Sequence, residues 1–389
     1  MKKNGTLIKW LLRTGSYVLV AALATVLTLS TMGPRENTKL EQLHSLIEDR
    51  YVGEYDDNDL YDGAAAGMIA ATGDRWSYYI PASQYEQLLQ SKENRDYVGI
   101  GISITAREEG GFNIVTVNPN GPAFEAGLIP GDILVEADGQ DATDMTTDQI
   151  KNIIRGEENT LVSVGVLRGE ETLEFTITRR NIPTIVAKGQ MLEGNIGLVT
   201  INNFNDKCAA ESIKAIDELV EQGAKGLVFD VRGNPGGSAD ELVKVLDHLL
   251  PEGPLFRSNE TGKEEVVRAS APSCIELPMA VIVNASSYSA AEFFAAALAE
   301  YDWATVVGEQ TVGKSYFQYT YRLSDGSAVA LSSGRYCTPK GVSLAEVGGL
   351  TPDVQVNLTE EEVKNLAYGQ LAPQNDPQIQ AAVESLGLS

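Results

Sequence analysis

Residues 279–318, MAVIVNASSYSAAEFFAAALAEYDWATVVGEQTVGKSYFQ, constrain this chain more than any other stretch. Met279 to Val283 is a short apolar run, β-branched in part, and reads as a buried strand. Asn284 to Ser289 is small and polar, which predicts a tight loop. Ala290 to Glu300 is rich in Ala, Phe and Leu, which predicts a buried helix. The segment therefore delivers Ser289 at a strand–loop–helix junction. The N–H of its neighbour Ala290 opens a helix start, where negative charge is favoured. That is a suitable place to stabilise an oxyanion. Thr305 to Val307 reads as a further strand, and Gly313 and Lys314 follow it.

Two readings of Ser289 compete. Ser289-Ala290-Ala291-Glu292 has the Ser-x-x-Glu spacing of a capping box, in which the serine only terminates a helix. The alternative is a nucleophile, which needs a base. The chain has two histidines, His44 and His248. His44 lies in an N-terminal amphipathic segment far from any glycine-rich loop. His248 sits among Leu242, Val243, Val245, Leu246, Leu249 and Leu250, on a predicted helix face. A Ser–His–Asp triad would have to use one of them. A lysine is the better candidate if it is desolvated, because burial disfavours the ammonium form. Lys314 lies between Val312-Gly313 and Ser315-Tyr316-Phe317, an apolar neighbourhood.

Together these residues resemble the carboxyl-terminal processing peptidases, also called tail-specific proteases. These are serine peptidases with a Ser–Lys dyad. The resemblance is carried by Ser287-Tyr288-Ser289-Ala290-Ala291-Glu292, by Val307-Gly308-Glu309-Gln310-Thr311-Val312-Gly313-Lys314, and by Gln318. It implies Ser289 as nucleophile, Lys314 as base and Gln318 as the group that orients the base. Tyr288 and Ala291 replace small or hydroxyl residues of the family pattern. Residues four apart in an extended strand are about 13 Å apart, so Gln318 reaches Lys314 only if the chain bends. Asp230-Val231-Arg232-Gly233-Asn234-Pro235-Gly236-Gly237 resembles the second family signature. It implies an oxyanion hole built from the N–H of Gly236 or Gly237 together with that of Ala290. Read without the resemblance, this strand–glycine loop–helix unit is also compatible with a phosphate loop, but it lacks the Gly-Lys-Ser/Thr ending.

The implied fold is mixed α/β: a crotonase/ClpP-like peptidase core with a PDZ domain and an N-terminal helical segment, preceded by one transmembrane helix. The expected partition is an anchor at 1–34, helices at 35–95, a PDZ domain at 96–180, the core at 181–358 and a polar helical pair at 359–389. Lys2, Lys3, Lys9 and Arg13 precede an uncharged stretch from Gly15 to Met32, long enough to span a bilayer. The basic residues predict an N-terminus inside and the remainder outside the cell membrane, as a single-pass protein. A cleaved signal peptide is the competing reading, with Ala22-Leu23-Ala24 as a small-x-small site.

Residues 96–180 resemble the PDZ domains attached to bacterial proteases. Gly121-Pro122-Ala123 and Ala126-Gly127-Leu128-Ile129-Pro130-Gly131-Asp132-Ile133-Leu134 carry most of that likeness. Tyr97-Val98-Gly99-Ile100-Gly101-Ile102 resembles the carboxylate-binding loop and the strand after it, where a peptide could add by β-augmentation. Ahead of it, residues 73–80 (GDRWSYYI) resemble a segment that these peptidases carry before the next domain, and otherwise read as an aromatic turn packed on a core.

The formal net charge of −24 argues against a nucleic-acid partner. Cys208, Cys274 and Cys337 are odd in number with no Cys-x-x-Cys, and no His, Cys or carboxylate cluster has metal-ligand spacing, so no cofactor or metal is expected. The expected partners are protein substrates, met through their C-terminal tails, and the membrane; a homo-oligomer is left open. Two rivals remain at this level. One is an anchored PDZ scaffold with an inert peptidase core, and the other is a crotonase-like acyl-CoA enzyme.

Overall fold

The computed structural model describes residues 38–93, 97–107, 109–118, 121–182, 185–367 and 369–388. The expected membrane segment lies outside them. Among the described residues no helix is long and apolar enough to cross a membrane. The chain divides into two units, Met1–Thr72 and Gly73–Ser389.

The first unit contributes helices Lys39–Arg50 and Asp57–Ala70. Thr38 and Glu41 close a capping box on the first, and Asp56 caps the second through Asn58 N–H. Neither helix contains a buried residue. Leu40, Leu43 and Leu46 of the first helix are exposed.

The second unit is built round a six-stranded sheet in the order Ala187–Leu192, Ile196–Ile201, Gly226–Asp230, Met279–Val283, Ala304–Gly308 and Val354–Gln355. The first pair is antiparallel and the rest are parallel. A parallel sheet is covered on both faces, and its strands read as unbroken apolar runs for that reason. Alternation then splits the side chains between two cores. Val199, Phe229, Val281 and Val306 meet helices Cys208–Glu221, Ala239–Leu249 and Ala290–Glu300. Leu198, Val228, Ala280 and Ile282 meet the C-terminal helix Pro377–Ser385 through Ile379, Ala382 and nearby Leu386. The last helix is therefore not the polar element expected; it closes one whole face of the sheet.

A second sheet is antiparallel, in the order Tyr78–Ile80, Ala328–Cys337, Pro254–Glu260 and Val266–Ala269, with Tyr316–Arg322 also on Ala328–Cys337. Tyr78–Ile80 falls in a stretch read as helical, and its partner lies some 250 residues later in the chain. Helix Ala290–Glu300 joins the two sheets. Phe294 packs on Phe204 and Phe229, and Phe293 packs on Phe256 and Tyr336, all at ring separations below 6 Å. Each such buried ring contributes roughly 1.5–3 kcal/mol. The helix can approach this closely because most of its other residues are alanine.

Residues 97–182 form a separate antiparallel sheet, ordered Ile102–Ala106, Phe112–Val117, Ile133–Ala137, Leu161–Arg168 and Glu171–Thr178, over its own core. Helix Thr147–Ile154 adds Ile150 and Ile154 to that core. Tyr97–Gly99 pairs with Arg180–Ile182 as a two-stranded ribbon at the point where this unit enters and leaves the chain.

Candidate active site

Two loops at the carboxyl ends of neighbouring parallel strands build the site. The first, residues 231–238, follows Gly226–Asp230. The second, residues 284–289, follows Met279–Val283. Side chains lace them together. Ser287 Oγ donates to Val231 O at 2.8 Å, and Gly233 N–H donates to Asn284 Oδ1 at 2.9 Å. Tyr288 N–H donates to Asn234 O at 3.1 Å, and Asn234 itself reaches back to Ile201 O.

Ser289 sits at the end of this lacing with φ 58° and ψ −126°, a conformation that non-glycine residues rarely adopt. Strain of this kind, of order 1–3 kcal/mol, persists only where the surroundings over-determine it. Here Glu292 supplies the constraint. It is fully buried, and its Oε2 accepts the N–H of Ser289 at 2.9 Å. The same oxygen accepts the N–H of Lys314, also at 2.9 Å. Its Oε1 accepts Gly313 N–H at 2.6 Å and Thr311 Oγ1 at 2.5 Å. One carboxylate thus holds the serine segment and the lysine segment side by side. The Ser-x-x-Glu spacing read as a capping box accounts for the Ser289 N–H bond. It gives no sign of the three bonds across to residues 311–314.

Gly236 has φ +88°, and a Cβ there would lie 2.8 Å from both Ala290 N and Ser289 Cβ. Only glycine permits so close an approach. Its N–H donates to Asn234 Oδ1 at 2.8 Å, so it is already used. Gly237 is also in a conformation with positive φ, and a Cβ would collide with the Phe204 carbonyl. Among the hydrogen bonds of the described residues, neither Gly237 N–H nor Ala290 N–H has an acceptor within the chain. These two amides have their donors unused within the described residues.

Lys314 is half-buried. Its Nζ lies 4.7 Å from the centre of the Trp76 ring and 5.7 Å from that of Tyr288. Burial pushes the amine below the ordinary lysine range, while the Asp74 and Glu292 carboxylates pull the other way. No hydrogen bond joins Lys314 to Ser289 among the described residues. Gln318 stands in strand Tyr316–Arg322 just after a bulge between Phe317 and Gln318. Its Nε2 donates to Tyr316 O at 3.1 Å and Ser332 Oγ at 3.0 Å. None of the hydrogen bonds among the described residues runs from Gln318 to Lys314.

Neither histidine joins this group by hydrogen bonding. His44 Nε2 pairs with Asp57 and His248 Nε2 with Asp217. No metal-binding cluster exists among the described residues. A groove of about 400 Å³ runs from Ser238, next to Gly237, past Phe256 and Tyr336 to Phe317 and Gln318. Ile102–Ala106 ends the order of its sheet, and among the described residues its outer edge is unpaired. Ile100 is buried, its carbonyl accepting Ala123 N–H, and Gly101 adopts φ +82°.

A model of peptidase family S41 matches residues 195–356, the part that carries both loops and residues 311–318. The chain is 30% identical over 334 residues to the carboxy-terminal processing protease CtpA of Bacillus subtilis strain 168, covering 85% of this chain and 71% of that one. This chain belongs to the carboxy-terminal processing proteases of family S41. It is a serine-type peptidase of mixed α/β fold, and the acyl-CoA reading gives way to that assignment. A PDZ domain model matches residues 114–168, and a model described as the activating protease CtpB N-terminal domain matches residues 22–83. A probable CtpA-like serine protease of Staphylococcus aureus strain N315 is 29% identical, covering 84% of this chain and 66% of its own length. Among solved structures, a photosystem II D1 C-terminal processing protease superposes with a TM-score of 0.50 at 27% identity, over 81% of this chain and 86% of the other.

Proposed function

We propose that this peptidase cuts protein substrates near their carboxyl termini, with Ser289 as nucleophile and Lys314 as general base. The observation that supports this most directly is the Glu292 carboxylate, which ties the Ser289 and Lys314 backbones to one oxygen atom beside two unused amides. Neutral Lys314 takes the Ser289 proton as Oγ attacks the peptide carbonyl. The oxyanion that forms is held by Gly237 and Ala290 N–H, each donor of this kind being worth about 3 kcal/mol of barrier. The ammonium then protonates the leaving amine as the C–N bond breaks. A water molecule, deprotonated by the same amine, releases the acyl group from Ser289. Within this reading Gly236 serves by close approach, and Gln318 acts through Ser332 rather than by direct contact with Lys314.

Substrate tails are taken up at residues 97–102, their carboxylate at the turn and their backbone along the open edge of Ile102–Ala106. Residues 1–34 anchor the protein, with residues 35–95, 96–180, 181–358 and 359–389 as successive parts of the exported portion. An anchored scaffold with an inert core is the alternative that the experiment must separate. The full chain, incubated with an unstructured protein such as casein, is expected to degrade it, and Ser289→Ala to lose all cleavage at unchanged melting temperature. Undiminished cleavage by Ser289→Ala would refute the nucleophile, and an intact substrate with the wild-type chain would favour the scaffold.

A further inference from the structure

Residues 73–77 lie far from Ser289 in sequence, yet they enclose the amine of Lys314. Strand Tyr78–Ile80 pairs in register with residues 328–330, which brings the preceding turn onto the core. The turn is closed by Asp74, whose Oδ1 accepts Trp76 N–H at 3.0 Å and whose Oδ2 accepts Ser77 Oγ at 2.5 Å. Ser77 Oγ in turn accepts Ser332 N–H at 2.9 Å. Ser332 Oγ accepts from Gln318 Nε2 and hydrogen-bonds to Asp74. Trp76 completes the enclosure. Its ring stacks on Tyr288, the residue before Ser289, at 6.2 Å and 27°, and it carries Lys314 Nζ on its face. Arg75 Cζ lies 4.2 Å from the centre of the same ring.

We propose that Asp74 and Trp76 are positioning residues for the catalytic lysine: the indole seats the amine beside Tyr288, and the clamped carboxylate, bonded to the Trp76 amide, holds that indole and adds a fixed negative charge. The inference rests on Lys314 being the base. It gives Gln318 a task that its own contacts allow, since Gln318 holds Ser332, and Ser332 holds Asp74. The Asp74 carboxylate is itself kept charged. Burial raises the Asp74 carboxyl, but hydrogen bonds from Ser332, Ser77 and the Trp76 and Ser77 amides more than offset it, leaving Asp74 below the usual carboxylate range. Lys314 is thus set between two opposing influences. Burial favours the neutral amine, and the charges of Asp74 and Glu292 favour the ammonium. A base that takes a proton from serine and returns it to an amine needs both states within reach at working pH.

The test is the pH profile of kcat/KM for casein cleavage by the full chain. Asp74→Asn keeps an acceptor for Trp76 N–H, and the Ser77 and Ser332 hydroxyls can turn to meet the new amide. It removes one negative charge that acts on Lys314, so the acid limb should move down by about one pH unit, with a several-fold lower kcat and little change in KM. A merely structural role would lower the rate without moving the limb, and that result, or an unchanged profile, would overturn the inference. Should Asp74→Asn not fold, Asp74→Ser keeps a turn-forming oxygen and carries the same expectation. Ser289→Ala is run alongside. Cleavage surviving in that variant would sink the peptidase mechanism itself, whereas loss of cleavage there with an unmoved limb in Asp74→Asn would sink this inference alone.

Discussion

Ser289 combines a strained backbone, held by Glu292, with a neighbour's unused amide, and Gly236 packs directly against both. Gly236 shows how narrow the margin is. Gly236→Ala would drive a methyl group into Ala290 N and Ser289 Cβ at a backbone angle that alanine avoids. The expected result is a loss of at least about 100-fold in kcat with a destabilisation of about 1–3 kcal/mol, read by casein cleavage and by urea unfolding. Lys314 gives the pH dependence. Its amine titrates below the ordinary lysine range in the folded chain, so activity should rise with pH as the proton leaves, with a limb below the range of free lysine. The sign for stability follows from the same shift. The unfolded chain holds that proton more tightly, so stability rises with pH between the folded and unfolded pKa values, and below that window the buried ammonium is a cost. Lys314→Met should therefore abolish cleavage while leaving the melting temperature at pH 7 no lower than wild type. Lys314→Arg, which stays charged, should be equally inactive. A variant of either kind that cleaves at neutral pH would contradict the assignment.

The strand–loop–helix unit at residues 279–300 was legible because its three parts differ in composition as sharply as elements can. An apolar run, a small polar loop and an alanine-rich helix leave little choice of boundary, and the strand and helix fall where that composition predicts. Tyr78–Ile80 was not legible. A three-residue strand has no periodicity of its own, and its pairing with residues 328–330 is a non-local fact. Gln318 shows a different limit. Neither the strand Tyr316–Arg322 nor the bulge before Gln318 was read from the sequence, and a bulge re-aims the side chains that follow. The C-terminal helix Pro377–Ser385 looked polar because only one stripe of it is buried. Asp376 caps it through Gln378 and Ile379 N–H and lies 2.8 Å from Arg232 Nη1, an electrostatic contact off the line of a hydrogen bond, while Gln378 Oε1 accepts from that same nitrogen. Arg232 also grips Asp230 at the start of the first site loop. Asp376→Ala removes a cap and one of the two carboxylates beside the buried Arg232 guanidinium, which keeps Asp230 and Gln378, and is expected to cost about 1–3 kcal/mol in chemical denaturation. A change below about 1 kcal/mol would show that the helix is held by its apolar face alone.

At the scale of the molecule, the PDZ unit and the peptidase part each have their own core. The PDZ unit has an open strand edge, the peptidase core has the groove beside Ser238, and the segment from residue 73 to 80 belongs to the core sheet although the PDZ unit separates it from the remainder. If tails are captured by their terminal carboxylate, amidating that terminus should raise KM by about tenfold, the equivalent of 1.4 kcal/mol, and leave kcat alone. Equal KM values for the two forms would remove the PDZ unit from substrate capture. Membrane attachment is decided by fractionation of cells expressing the full chain; release without detergent would rule the anchor out. The family was readable before the structure because its signatures are local. The wall behind Lys314 was not, because it is assembled from residues 74 and 76 of a turn, 288 of a loop, and 318 and 332 of two neighbouring strands. The most direct measurement of the whole account is intact-mass spectrometry of an unstructured substrate with a defined tail, incubated with wild type, Ser289→Ala and Lys314→Ala. The account predicts carboxyl-terminal trimming by wild type and an unaltered substrate mass with either variant, each folded as wild type by circular dichroism. Trimming that persists without the Ser289 hydroxyl or the Lys314 amine would contradict it.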